Sequence, residues 1–148
     1  MRFDDILVPT DFSESSSRAL DYALSMASPE GEIYLLHVID SDFLEEVSRN
    51  EIASVESVQE KLRQRAEETL DQIISKSSCN EPNTAKLNKM VVVGLPFVEI
   101  LRIAKDLDFS LIVMGIRGKK GSIEKLFFGS TADKVLRATH IPVVCVPL

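Results

Sequence analysis

Five short apolar runs punctuate the chain: Ile6 to Val8, the segment Glu32 to Ile39, Leu87 to Val93, Leu111 to Met114, and Val143 to Pro147. Strands buried on both faces of a parallel sheet look like this, with little polar alternation and many β-branched residues. Between the runs, apolar residues fall at steps of three or four. Ala19, Leu20, Ala23, Leu24 and Ala27 share one helical face, and so do Val55, Val58, Leu62, Ala66, Leu70 and Ile73. Phe97, Ile100, Leu101, Ala104 and Leu107 form a third stripe, and the segment from Ala132 to Thr139 is a fourth helix. Pro29-Glu30-Gly31 reads as a turn before the second strand, and Ser41 to Asn50 as a linker that could alternatively cover a ligand. Of the residues able to cap the first helix, Asp11 is favoured over Ser13, because Glu14 stands three residues after it as in a capping box.

Strands that alternate with helices call for an α/β fold, an open five-stranded parallel sheet with right-handed crossovers and helices on both faces. In such sheets ligands sit beyond the carboxyl ends of the strands, where the winding reverses. If strands one and four are neighbours there, Pro9-Thr10-Asp11 faces Gly115 across one crevice, and the end of strand two near Val38 forms its side. Asp11 could then accept hydrogen bonds from a ligand as well as cap the helix.

The stretch after strand four carries the chemistry. Gly115, Gly118 and Gly121 lack the Cβ that would hold backbone away from a ligand, so successive amides can converge on an anion, and Arg117, Lys119 and Lys120 add positive charge. Gly129-Ser130-Thr131 then opens a helix, with Ser130 or Thr131 as the expected N-cap and the positive helix end free for phosphate. Neither G-x-x-x-x-G-K-[ST] nor G-x-G-x-x-G fits, so a nucleotide site here is of another kind.

At 148 residues the chain is expected to be one domain, and 45% hydrophobic content supports a packed core. A net charge of −6 argues against general binding to nucleic acid or a membrane surface. No apolar run approaches the roughly 20 residues needed to span a bilayer, and MRFDDILVPTD is unlike a leader, so a cytoplasmic location is expected. Cys79 and Cys145 have neither C-x-x-C spacing nor a nearby histidine pair, and both read as plain thiols, Cys145 as a small core residue. His37 inside strand two reads as a hydrogen-bonded core residue, and His140 as a surface residue of a turn. The bare final strand invites pairing, which predicts a homodimer through Val143 to Val146.

The segments ILVPTDFS, LLHVID, VGLPFVEIL, VMGIRGKKG, GSTADKVL and IPVVCVP together resemble the universal stress proteins over nearly the whole chain. Resemblance to the ATP-binding branch of that family implies a Rossmann-like, adenine nucleotide alpha hydrolase-like sheet of order 3-2-1-4-5, a dimer through the last strand, and a G-x2-G-x9-G-[ST] motif. Gly115 and Gly118 match the first half of the motif, and Gly129-Ser130 the second. By this resemblance Pro9, Thr10, Asp11 and Val38 lie near adenine and ribose, Met114 and Gly115 beside the ribose and α-phosphate, and Gly118, Gly129, Ser130 and Thr131 around the phosphates. One departure stands out: ten residues separate Gly118 from Gly129 where the family pattern has nine, Ser122 being the extra one.

The resemblance implies a nucleotide-dependent regulatory or stress-response module that binds ATP with Mg2+ or Mn2+. Two alternatives compete with it. A slow ATPase or nucleotide transferase would need a base, for which Asp11 is the sole candidate, and at most weak hydrolysis is expected. A dimeric interaction protein without nucleotide would have no use for the glycines.

Overall fold

The computed structural model describes residues 2–50, 54–77, 84–116 and 130–147. In chain order these form β1 (Phe3–Pro9), α1 (Glu14–Met26), β2 (Ala27–Asp40), α2 (Ser41–Arg49), α3 (Val55–Lys76), β3 (Lys86–Gly94), α4 (Pro96–Asp106), β4 (Leu111–Gly115), α5 (Ser130–Ala138) and β5 (Val143–Val146). The five strands make one parallel sheet in the order β3-β2-β1-β4-β5, as the family resemblance implies.

Strand alternation splits the core into two layers. Ile6, Val8, Ile33, Leu35, Leu111 and Val113 point to one face, where Ala19, Leu20 and Ala23 of α1 and Leu70 of α3 cover them. Leu7, Leu36, Ile112 and Met114 point to the other, against Ile100, Ile103 and Ala104 of α4 and Ala132 and Val135 of α5. Each fully buried aliphatic side chain contributes roughly 1.5–3 kcal/mol, so these two layers dominate stability.

Three local expectations are corrected. Pro29-Glu30-Gly31 is not a turn but lies inside β2, where the ladder steps from Phe3 opposite Ala27 to Asp5 opposite Glu32. Five residues of β2 thus answer two of β1, and the excess is absorbed as a bulge. Gly31 is required there, because a Cβ would stand 2.5 Å from the Asp4 carbonyl oxygen. Ser41 to Asn50 is not a linker: Asp40 accepts a hydrogen bond from the Asp42 amide and caps α2, which buries Leu44 and Val47. Among the described residues five helices therefore stand where four were expected.

The third correction concerns the two helix starts that face the strand ends. Phe12 has φ 66°, a left-handed conformation, and the chain turns so sharply there that the cap of α1 passes from Asp11 to Ser13. Ser13 Oγ accepts from the Ser16 amide. At the other start, Ser130 and Thr131 already lie within α5, so neither stands before the helix as its cap.

β1 and β4 are paired only at Ile6 with Leu111 and Leu7 with Ile112. Beyond that rung the two strands part. The sheet winds from β1 through β2 to β3 and then returns to the far side of β1, so this opening coincides with the reversal point.

Candidate functional site

A cavity of about 380 Å3 opens beyond the carboxyl ends of β1, β2 and β4. Pro9, Thr10 and Asp11 form one wall, Val38 another, Met114 and Gly115 a third, and Ser130 and Thr131 close it from α5. All eight of these are residues singled out from the sequence, drawn from four separate segments of the chain. Gly118 and Gly129, with Arg117, Lys119, Lys120, Gly121 and Ser122, lie outside the described residues.

Both apolar and polar residues line the cavity. Leu36 and Val38 of β2, Pro96 and Ile100 of α4, and Met114 make a slot of hydrophobic side chains. The carboxylates Asp11 and Asp40 also line it, and so does the first turn of α5. There the helix leaves amide groups without helical acceptors and carries a partial positive charge. Anionic groups are favoured at that end and hydrogen-bond donors at the carboxylates.

The turn from β1 into α1 is built by interlocking hydrogen bonds. The Thr10 amide donates to the Leu36 carbonyl at 2.8 Å, extending the β1–β2 ladder by one rung. Thr10 Oγ1 accepts from the Phe12 amide at 3.0 Å. Asp11 Oδ1 accepts from the Ser13 amide at 3.0 Å and from Ser16 Oγ at 2.8 Å, so this oxygen is committed to the turn. A bulky residue at positive φ costs on the order of 1–2 kcal/mol, which the surrounding contacts must offset. Among them, the Phe12 ring stacks on the His37 imidazole with centroids 4.3 Å apart. His37 Nδ1 lies 2.9 Å from the Thr10 carbonyl oxygen, and because a carbonyl only accepts, Nδ1 carries the hydrogen.

Gly115 serves a purpose beyond the one its place in a glycine-rich loop suggests. A Cβ on it would lie 2.5 Å from the Ser15 carbonyl carbon and 2.7 Å from Ser15 Oγ, so the residue admits the first turn of α1 against β4. Close packing, rather than access for a ligand alone, explains this glycine.

Six lining residues had no site role in the sequence reading: Ser16, Leu36, His37, Asp40, Pro96 and Ile100. His37 was read as structural, and its bond to Thr10 bears that out, yet it also reaches the cavity. Asp40 ends β2 two residues after Val38, so strand periodicity puts both on the same face and could have found it. Pro96 and Ile100 belong to an amphipathic stripe that gives no sign of where the core stops.

Away from the site, Cys145 packs against the α4 and α5 layer, and burial pushes its thiol up. It is thus protonated at neutral pH and has the inert character expected. Among the described residues no group of three or more His, Cys, Asp or Glu side chains could hold a metal ion, and no helix is long and apolar enough to cross a membrane.

Comparison with known proteins agrees with this fold. The model of the universal stress protein family matches residues 2–147. Universal stress protein MJ0531 of Methanocaldococcus jannaschii is 32% identical over 97% of this chain and 82% of its own length. The solved structure of MJ0577, a universal stress protein of the same organism, superposes with a TM-score of 0.82 at 31% identity, covering 100% of this chain and 98% of that one. A universal stress protein from Archaeoglobus fulgidus solved in complex with dAMP shares the fold, with a TM-score of 0.64 at 23% identity and 99% coverage of both chains.

Proposed function

The chain belongs to the universal stress protein family, and from that premise we propose that it is a stress-response module whose cavity between β1 and β4 binds ATP. The observation that carries the proposal is the convergence of Pro9 to Asp11, Val38, Met114 to Gly115 and Ser130 to Thr131 on one cavity. Its volume lies within the range of about 300–1,000 Å3 usual for small-molecule sites. A family member that holds dAMP with the same fold supports an adenine nucleotide as the ligand class.

The residues fit such a ligand part by part. A purine ring suits the apolar slot of Leu36, Val38, Ile100 and Met114. Along a strand, a residue's N–H and C=O point to one side and those of alternate residues to the same side. The Leu36 carbonyl faces β1, where it accepts from Thr10. Val38 therefore presents its own N–H and C=O beyond the end of β1, toward the cavity, as a donor and acceptor pair for a base edge. Asp11 lies on the cavity wall, where a carboxylate is suited to accept from ribose hydroxyls. The phosphates would run to the amides of Ser130 and Thr131, joined by Gly118 and Gly129 through the motif they complete. A divalent cation, Mg2+ or Mn2+, would be held chiefly by the phosphate oxygens and would neutralise their charge.

Regulation rather than turnover is the better reading. Asp11, the candidate base, spends one oxygen on two hydrogen bonds within its own turn. Nucleotide occupancy would instead bias contacts of the chain with its partners, including a second copy paired along β5. Among the described residues β5 pairs only with β4, which leaves its other edge open for that purpose. The test is to purify the protein, extract and identify any bound nucleotide, and titrate the stripped protein with ATP in a calorimeter. Saturable ATP binding supports the proposal, ADP formed with measurable turnover favours an enzyme, and no binding at any concentration overturns both.

A further inference from the structure

The turn between β1 and α1 contains an unexpected choice of residue. Position 12 takes a left-handed backbone, φ 66°, which glycine adopts freely and a phenylalanine does not. It is flanked on one side by Thr10 and Asp11, which line the cavity, and on the other by Ser13, the cap of α1. The aromatic side chain is 37% exposed, so burial in the core does not explain its retention at a strained position. What the ring does have is a partner. It lies nearly parallel to the His37 imidazole, with an interplanar angle of 23° and a centroid distance of 4.3 Å. The same imidazole bonds the Thr10 carbonyl through Nδ1 at 2.9 Å and precedes Val38, whose backbone faces the cavity.

We propose that Phe12 and His37 form a positioning pair for the nucleotide cavity. The stack anchors the left-handed turn to β2, and the imidazole fixes the Thr10 carbonyl, so Thr10 and Asp11, in the turn after β1, are held in register with Val38 of β2. Neither side chain is required to touch the nucleotide. A tight turn alone would be served better by glycine, and the aromatic pair supplies what glycine lacks, a side-chain contact that adds to the backbone bond between this turn and the neighbouring strand. The inference rests on the ATP-binding reading for its functional readout, but its structural half stands without it.

The experiment compares Phe12→Gly, Phe12→Tyr and His37→Phe with the wild type. For each, the melting temperature of the nucleotide-free protein, the ATP dissociation constant and the amide resonances of Thr10, Asp11 and Val38 are measured. Phe12→Gly relieves the strain and removes the stack. It is expected to melt at or near the wild-type temperature, yet to bind ATP about two- to tenfold more weakly, the scale of one lost aromatic contact. Its Thr10 and Asp11 amide signals should shift or broaden. Phe12→Tyr keeps the ring and should restore wild-type affinity. His37→Phe keeps a stack but loses the Thr10 bond, and should fall between the two. If Phe12→Gly binds ATP like the wild type, with its Thr10 and Asp11 amides unmoved, the positioning role is overturned. Should the wild type bind no nucleotide, the functional reading fails separately. The amide resonances then decide the pair alone: unchanged signals in Phe12→Gly refute it, and displaced signals uphold it. Were Phe12→Gly to lose its fold, His37→Phe would carry the same comparison, and wild-type affinity and amide signals in that variant would likewise overturn the proposal.

Discussion

Replacing Gly115 by alanine should destabilise the protein even with no ligand present. The added methyl carbon would stand 2.5 Å from the Ser15 carbonyl carbon, 2.6 Å from its oxygen and 2.7 Å from its Oγ. Comfortable carbon contacts begin near 3.5 Å, so the first turn of α1 must retreat by about 1 Å. It has little freedom to do so. Ser15 and Ser16 are buried, Ser16 is bonded to Asp11, and Ala19 and Leu20 sit in the core directly below. Overpacking of this kind costs about 1–3 kcal/mol. For a chain of this size each kcal/mol lowers the melting temperature by roughly 2–4 °C, which predicts a fall on the order of 5 °C. Calorimetric melting of the nucleotide-free protein measures it, and urea unfolding should show a lower midpoint with an unchanged slope. An unaltered melting temperature would refute the packing argument and return Gly115 to a role in ligand access alone.

Other perturbations separate the site from the scaffold. Gly118→Val or Gly129→Val should abolish ATP binding while leaving the melting temperature of the nucleotide-free protein unchanged; retained affinity would count against the phosphate assignment. Deleting Ser122 restores the nine-residue spacing, and unchanged affinity on calorimetry would mean that the extra residue is simply looped out. Removal of residues 143–148 should leave monomers or aggregates on a sizing column with light scattering, and an intact dimer would refute pairing through β5. Tyr34 offers a pH signature: burial first, then the nearby carboxylates of Glu32 and Asp5, raise its pKa above the ordinary 10.0. The folded state thus holds this proton more tightly than the unfolded chain does. Stability should decline as pH rises past about 10, and Tyr34→Phe should flatten that decline.

The parallel α/β class and the corners of the cavity were legible in the sequence because both follow from rules that act at strand ends, whereas the strand order came from the family resemblance. Buried parallel strands announce themselves as apolar runs, and the ligand rule for such sheets then picks out Pro9 to Asp11 and Met114 to Gly115 without knowledge of side-chain positions. What escaped depends on tertiary detail. Pro29 to Gly31 has turn chemistry, but parallel pairing of β2 with β1 continues past it and absorbs the excess as a bulge. Ser41 to Arg49 is too short for its periodicity to outweigh a linker reading, and it becomes a helix once Leu44 and Val47 are buried and Asp40 caps it. The shift of the α1 cap from Asp11 to Ser13 turns on the φ of Phe12, a conformation that no residue pattern signals for an aromatic. Gly115 was singled out for access by a ligand, and the sequence could not tell an approach by ligand from an approach by α1.

The central claim is that the opening between β1 and β4 receives the nucleotide, and amide shift mapping during an ATP titration of isotope-labelled protein tests it most directly. The account predicts saturable shifts concentrated at Thr10, Asp11, Val38, Gly115, Ser130 and Thr131, with β3 and the outer face of α3 unmoved. Saturable shifts centred elsewhere, or none up to millimolar ATP, would contradict it.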